Sequence, residues 1–110
     1  MSVSTHVLDT ARGRPAAGVR VRLERLDTAW VPVADGVTDD DGRLRDWVGP
    51  AAAFGPGEYR LIFDTAAYFT GQGLEAFFPE VTVAFAVTDD SHHHVPLLLS
   101  PFAYSTYRGS

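Results

Sequence analysis

Apolar and polar side chains alternate along much of the chain, which is the pattern of β-strands with one buried face and one wet face. The alternation is clearest at Val19, Val21 and Leu23, which are separated by charged side chains. Other segments that alternate, or that form a short apolar run, are residues 3–8, 30–33, 58–63, 81–88, 95–99 and 102–107. Together these segments predict about seven or eight strands.

Turn-forming residues separate the predicted strands, and one segment between them has a different pattern. The predicted turns fall at residues 12–15, 27–28, 40–42, 55–57 and 89–91, where Gly, Pro, Asp and Ser concentrate. Residues 64–71 begin with Asp-Thr, contain two alanines and end with glycine, which predicts a short α-helix. Short strands at regular spacing with one short helix favour an all-β fold, an antiparallel β-sandwich, in one domain spanning residues 1–110.

Composition and charge exclude several classes of function. The chain has 110 residues, a formal net charge of −5 and no cysteine, so disulfides, thiolate metal sites and cysteine nucleophiles are ruled out. The nine basic residues are all arginine and form no dense cluster, which disfavours a nucleic-acid partner. Residues 1–10 lack the pattern of a secretory signal, and no apolar run is long enough to span a membrane. We therefore expect a soluble cytoplasmic protein.

Four histidines, His6, His92, His93 and His94, are the first candidates for chemistry. On a strand, His92 and His94 share one face while His93 points to the other with the core residues. Their sequence leaves three interpretations open. In the first, the histidines are only polar strand residues. In the second, three of them bind a metal such as zinc. In the third, one imidazole acts as a general base.

Arg43 follows an acidic turn at residues 38–42. The run of Asp residues is superficially similar to a calcium loop, but no glutamate follows at the required distance, so calcium binding is not expected. Arg43 is then either a solvated turn residue or a planar, permanently charged group that binds an anionic or carbonyl-bearing ligand.

The last seven residues, 104–110, read Tyr-Ser-Thr-Tyr-Arg-Gly-Ser and are rich in hydrogen-bonding side chains. Chain ends are usually disordered, but a segment that directly follows a strand can instead be tied to the fold. The sequence contains no Gly-x-Ser-x-Gly elbow, phosphate-binding loop or dinucleotide motif, so a serine hydrolase triad is not supported.

Over nearly its whole length the sequence resembles the 5-hydroxyisourate hydrolases, the enzymatic branch of the transthyretin-like family. The stretches that carry the resemblance are residues 4–9, 13–16, 41–43, 58–60, 68–69, 77–80, 92–101 and 104–110. The terminal Tyr-Arg-Gly-Ser is the most specific of them, because the hormone-carrying transthyretins lack it. The order and spacing of these stretches make a chance match improbable.

The resemblance implies a fold and an assembly. It implies a transthyretin-like sandwich of two four-stranded sheets with one short helix. It also implies a homotetramer, a dimer of dimers, whose active sites lie in a channel between the dimers. A second subunit would then shelter histidines that point away from the sandwich core.

The resemblance also implies the site residues, without a metal or other cofactor. The catalytic residues would be His6, Arg43 and His94, with His92 in a possible supporting position behind them. The residues expected to bind substrate are His6, Arg43, Tyr107, Arg108, Gly109 and Ser110.

The implied reaction is hydrolysis of 5-hydroxyisourate to 2-oxo-4-hydroxy-4-carboxy-5-ureidoimidazoline in urate degradation. His6 and His94 would activate and orient the attacking water. Arg43 would hold the substrate and stabilise the developing oxyanion, and the terminal residues would position the substrate by hydrogen bonds. The alternative is a transthyretin-type protein that binds a small ligand without catalysis.

Overall fold

The computed structural model describes residues 2–49 and 55–110. Within them the chain forms two β-sheets and one short helix. The elements in chain order are β1 Ser2–Asp9, β2 Arg14–Pro15, β3 Arg20–Leu26, β4 Trp30–Val37, β5 Arg43–Leu44, β6 Gly57–Phe63, α1 Thr65–Thr70, β7 Val81–Val87, β8 His92–His94, β9 Leu97–Ser100 and β10 Ala103–Thr106. The predicted all-β fold is confirmed. No helix in the described ranges is long and apolar enough to cross a membrane.

One sheet contains four antiparallel strands in the order β4-β3-β6-β7. The predicted hairpin at Asp27 is present, since Leu26 pairs with Trp30 at the end of the β3–β4 ladder. A register shift between Leu23 and Glu24 marks a bulge in that ladder. The strands predicted around Tyr59 and Phe85 form β6 and β7 and pair along their whole lengths.

The second sheet is built around β1 and contains six short strands that occupy four strand positions. On one side β1 pairs with β8 and then with β9, and β10 pairs with β9. On its other side β1 pairs with β2 and β5. The layout therefore matches two four-stranded sheets, but the sandwich is not antiparallel throughout, because β1 runs parallel to both β8 and β9. The elements between β1 and β8 form a crossover long enough to allow a parallel pair.

The core lies between the two sheets and takes side chains from both. Val7 and Leu97 from the β1 sheet and Leu23, Tyr59 and Phe63 from the other sheet have no exposed surface. Each fully buried aliphatic or aromatic side chain contributes roughly 1.5–3 kcal/mol of hydrophobic stabilisation. This core holds β1 and its neighbour β8 at fixed positions, and His6 of β1 and His92 and His94 of β8 project from the face that points away from the core.

The predicted helix is confirmed at Thr65–Thr70. The Asp64 side chain accepts a hydrogen bond from the Ala67 N–H at 3.2 Å, so it acts as the N-cap. The Tyr68 hydroxyl donates to Oδ2 of Asp9 at 2.7 Å, which joins the helix to the end of β1. The helix therefore clamps the far end of β1, opposite to the histidine end.

The predicted orientation of the three consecutive histidines is also confirmed. His93 is only 5% exposed, whereas His92 is exposed and His94 is half-buried. The alternation does not continue to Pro96, because Pro96 is buried and β8 ends at His94. Proline has no N–H to donate to a strand ladder, which explains why the strand is interrupted there.

Candidate functional site

The strand β1 brings the candidate residues together through its register with its neighbours. His6 stands opposite Arg43 of β5, and Ser4 stands opposite His94 of β8. Neighbouring strands lie about 4.8 Å apart, and residues two positions apart on one strand share a face. His6, Arg43 and His94 therefore lie on one face of the sheet.

The turn before β5 fixes where Arg43 leaves the sheet. Oδ1 of Asp39 accepts hydrogen bonds from the N–H groups of Asp41 and Arg43, each at 2.9 Å. These backbone donors hold the pKa of the Asp39 carboxyl below its ordinary value. Gly42 has φ = 73°, and a Cβ there would lie 2.4 Å from the carbonyl oxygen of Val7. Only glycine allows the turn to approach β1 this closely.

His6 is held by the same turn. Its Nε2 lies 2.8 Å from the backbone carbonyl oxygen of Asp41. A carbonyl oxygen only accepts hydrogen bonds, so Nε2 of His6 carries the proton in this contact. The neutral ring then has Nδ1 as its acceptor, and the tautomer of His6 is fixed by the fold.

His94 is linked to His92 through a serine. Oγ of Ser4 lies 2.8 Å from Nδ1 of His94 and 2.8 Å from Nε2 of His92. The two imidazole rings are stacked, with centroids 6.5 Å apart and planes inclined by 17°. At the outer end Oγ of Ser2 makes a short contact with Nδ1 of His92. His92 therefore supports His94 from behind, through Ser4.

The pKa of His94 is lowered from its ordinary value of 6.5. The largest cause is burial of the ring, which disfavours the charged form. Electrostatic interactions with His92, His6 and Arg43 lower the pKa of His94 further. His94 is therefore neutral at pH 7 and can accept a proton.

The C-terminal segment is tied to β8 rather than frayed. The N–H of Gly109 donates to the carbonyl oxygen of His94 at 2.8 Å, and the two residues form an isolated antiparallel bridge. A Cβ at Gly109 would lie 2.3 Å from Cδ2 of His94. Glycine at this position therefore lets the tail pass directly over the imidazole and carry Ser110 to the same face.

A hollow of about 370 Å³ opens on this face of β1. Its polar lining residues are Ser2, Ser4, Thr5, Arg43, Arg45, Asp46, His92, His94 and Ser110. The hollow is open to solvent in the single chain, and it combines imidazole, guanidinium and hydroxyl groups. Such a set can bind a flat polar molecule, accept a proton and stabilise negative charge.

Four of the expected residues lie outside this lining, namely His6, Tyr107, Arg108 and Gly109. His6 stands beside the hollow next to Arg43, and it still interacts electrostatically with His94. Tyr107 and Arg108 instead line a second hollow of about 320 Å³, together with β7 and His94. Tyr107 is 60% exposed in the single chain. His94 is thus shared between the two hollows.

Sequence reasoning did not predict that Ser2, Ser4, Arg45 and Asp46 line the hollow beside β1. Ser4 lies two positions and Ser2 four positions before His6, so the period of a strand places them on the same face. Arg45 lies two positions after Arg43, and it brings a second guanidinium to the lining. Asp46 gave no signal of this kind; it adopts φ = 54°, which is unusual for a residue other than glycine.

The zinc interpretation of the histidines finds no matching set of ligands in residues 2–49 and 55–110. No group of three or more His, Asp or Glu side chains there is placed to hold a metal ion. His92 and His94 use their facing nitrogens on Ser4 instead.

The chain is similar to known proteins both in sequence and in fold. The model of the HIUase/Transthyretin family matches residues 3–109. A 5-hydroxyisourate hydrolase of Salmonella typhimurium is 50% identical over 111 residues, which is 98% of this chain and 80% of the relative. The structure of Klebsiella pneumoniae 5-hydroxyisourate hydrolase superposes with a TM-score of 0.87 at 38% identity and covers 100% of both chains.

The backbone alone does not separate an enzyme from a carrier. A sea bream transthyretin, solved in complex with thyroxine, superposes with a TM-score of 0.90 at 33% identity, over 97% of this chain and 93% of the other. This score is as high as that of the Klebsiella hydrolase. The side chains of the hollow, and not the backbone fold, must therefore distinguish an enzyme from a carrier.

Proposed function

Because the chain belongs to the HIUase/transthyretin family, we propose that it hydrolyses 5-hydroxyisourate to 2-oxo-4-hydroxy-4-carboxy-5-ureidoimidazoline, a step of urate degradation. The observation that carries the proposal is the convergence of a neutral imidazole, His94, and a guanidinium, Arg43, on one hollow. A carrier needs neither a proton acceptor nor a fixed cation at the same point. The sequence identity to a relative named as this hydrolase supports the same conclusion.

In the proposed reaction water attacks a carbonyl carbon of the six-membered ring. His94 accepts a proton from the water as the new C–O bond forms, which is typically worth about 10²–10⁴-fold in rate. The ring C–N bond then breaks, and the leaving nitrogen takes a proton as the carboxyl group is released. The sum is the addition of one water molecule, so no other reactant is needed.

Arg43 and His6 have supporting parts in this scheme. The guanidinium of Arg43 is charged throughout, and it stabilises the oxygen that becomes negative in the transition state. His6 has Nε2 committed to Asp41, so it holds the water or substrate through Nδ1. Ser110 contributes hydrogen bonds from the tail, which orient the substrate and break no bond.

We further propose that a homotetramer, arranged as a dimer of dimers, completes the site in the cytoplasm. The hollow is open in the single chain, and Tyr107 and Arg108 lie on an exposed surface beside it. A neighbouring subunit would enclose the hollow and bring such exposed residues against the substrate. Light scattering during size-exclusion chromatography tests the tetramer, and a monomer with full activity would contradict it.

The activity is tested with 5-hydroxyisourate generated freshly by urate oxidase. The absorbance of the substrate should decay far faster with the protein than without it. Arg43→Ala and His94→Ala should each lower kcat/KM by at least about 100-fold. Arg22→Ala is the matched control, because Arg22 lies on the other sheet and pairs with Glu80 at 3.7 Å; it should leave the rate unchanged.

The same assay distinguishes the enzyme from the non-catalytic binding protein. A spontaneous rate of decay in the presence of the wild-type protein, together with measurable binding of a small aromatic ligand, would favour the carrier. Wild-type rates in both the Arg43 and His94 variants would be consistent with the hydrolase activity but would contradict this mechanism.

A further inference from the structure

Four polar side chains form one continuous line of hydrogen bonds from the hollow to the surface. The line runs from Nδ1 of His94 to Oγ of Ser4, then to Nε2 of His92, and from Nδ1 of His92 to Oγ of Ser2. Ser4 is 7% exposed, whereas His92 and Ser2 are exposed. The register of β1 with β8 sets this arrangement, since Ser2 faces His92 and Ser4 faces His94.

When both imidazole rings are neutral, the hydrogen bonds along this line can run in only two directions. A hydroxyl has one proton, so Ser4 donates to one imidazole and accepts from the other. If Ser4 donates to His92, then His94 carries its proton on Nδ1 and has a bare Nε2. If Ser4 donates to His94, then Nε2 of His94 carries the proton. Within the described residues no group bonds to Nε2 of His94, so this atom is free for water or substrate.

We propose that Ser4 and His92 form a proton relay that switches Nε2 of His94 between acceptor and donor. The proposal rests on the hydrolysis proposed above, and it gives Ser4 and His92 a role as relay and positioning residues. It explains why two serines and a second histidine line a hollow whose reaction needs one base.

The relay can be followed proton by proton. Water gives a proton to Nε2 of His94, and the Nδ1 proton of His94 moves to Ser4. The proton of Ser4 moves to Nε2 of His92, which becomes an imidazolium whose Nδ1–H donates to Ser2. When Nε2 of His94 gives its proton to the leaving nitrogen, the same shifts run backwards and restore the starting state. No proton is gained or lost, and no further reactant is required.

The burial of His94 and the charge of Arg43 favour moving the positive charge from His94 to His92. An imidazolium at His94 would lie half-buried beside the guanidinium of Arg43. In the single chain His92 is the more exposed ring, and it lies two strand positions farther from Arg43 than His94 does, because His92 faces Ser2, His94 faces Ser4 and Arg43 faces His6. Since a cation is stabilised by hydration and destabilised by nearby cations, the exposed ring is the better place for the charge.

The test compares two relay variants with one control. Ser4→Ala removes the link between the rings, and His92→Gln keeps a polar side chain at an exposed position but cannot pass a proton on. Ser91→Ala is the control, because Ser91 is exposed, precedes His92 and bonds through its hydroxyl to Asp89. Both relay variants should lower kcat by about tenfold or more with KM changed by less than about threefold. The control should match the wild type.

The second readout is the dependence of kcat on the fraction of D₂O. A relay moves several protons together, so the wild type should give a curved plot and both relay variants a straight one. Loss of structure alone would lower the amount of active protein and leave the curvature unchanged. Thermal melting confirms that each variant is folded.

The outcomes separate the relay from the proposed function. An active wild type whose Ser4→Ala and His92→Gln variants keep their kcat and a curved plot would overturn the relay only. A loss in Ser4→Ala without a loss in His92→Gln would also overturn it, because Ser4 would then only orient His94. A wild type that does not hydrolyse 5-hydroxyisourate would overturn the proposed function, and the relay with it.

Discussion

The contact between the tail and His94 makes a sharp prediction for Gly109→Ala. A Cβ at this position would lie 2.3 Å from Cδ2 and 3.0 Å from Cγ of the His94 ring. Carbon atoms in contact lie about 3.5–4.0 Å apart, so ring and tail must separate by about 1 Å. A displacement of that size at a catalytic group costs on the order of 100-fold in rate.

Stability should respond much less than activity. Gly109 lies near the chain end and contributes one backbone hydrogen bond, to His94, and such a bond is worth about 0.5–1.5 kcal/mol. We therefore expect Gly109→Ala to lower kcat for 5-hydroxyisourate by about 100-fold and to lower Tm by less than about 10 °C.

Gly49→Ala is the matched control, because a Cβ at Gly49 meets no atom within 4 Å. It should keep both the rate and Tm of the wild type. The steady-state rate of substrate decay and a thermal melt measure the two effects separately. If Gly109→Ala hydrolyses the substrate at the wild-type rate, the tail does not hold the His94 ring and the reasoning is wrong.

Three other substitutions test the site and its support. Gly42→Ala should lower Tm, because a left-handed φ costs about 1–2 kcal/mol and its Cβ would lie 2.4 Å from a carbonyl oxygen; wild-type Tm would refute this. Arg43→Ala should raise the pKa of His94, since one nearby positive charge is lost; an NMR titration of the ring checks the direction. Tyr68→Phe should lower the free energy of unfolding by about 1.5–3 kcal/mol, because the hydrogen bond to Asp9 is lost. Chemical denaturation measures this change, and kcat should stay the same.

The pH dependence follows from the same lowered pKa. His94 must be neutral to accept a proton, and its pKa lies below 6.5. The activity should therefore be at its maximum above pH 6.5, and it should decline as the pH falls through the lowered pKa of His94. A profile of kcat/KM against pH reports this group in the free enzyme. An acid limb with a midpoint above 6.5 would contradict the assignment of His94 as the base.

Much of the fold was predictable because strand period and turn residues are local signals. The alternation at Val19, Val21 and Leu23 predicts β3, and the Asp64 cap and Gly71 predict α1. The parallel pairing of β1 with β8 and β9 was not predictable in this way. It joins segments about ninety residues apart, and no short pattern encodes which strands become neighbours.

The candidate site was also only partly predictable from the sequence. The period of two places His92 and His94 on one face, and the resemblance supplies His6, Arg43 and the tail. The division of the expected residues between two hollows could not be foreseen. Neither could the bridging position of Ser4, since it depends on the register of two strands that are distant in sequence.

The most direct test of the central claim is a crystal structure of the protein with a bound purine analogue that cannot be hydrolysed. The claim is that His94 and Arg43 act on one substrate in the hollow beside β1. The analogue should lie there with a ring carbonyl oxygen within hydrogen-bond distance of Arg43 and the carbonyl carbon facing Nε2 of His94. An analogue bound elsewhere, with neither residue in contact, would contradict the claim.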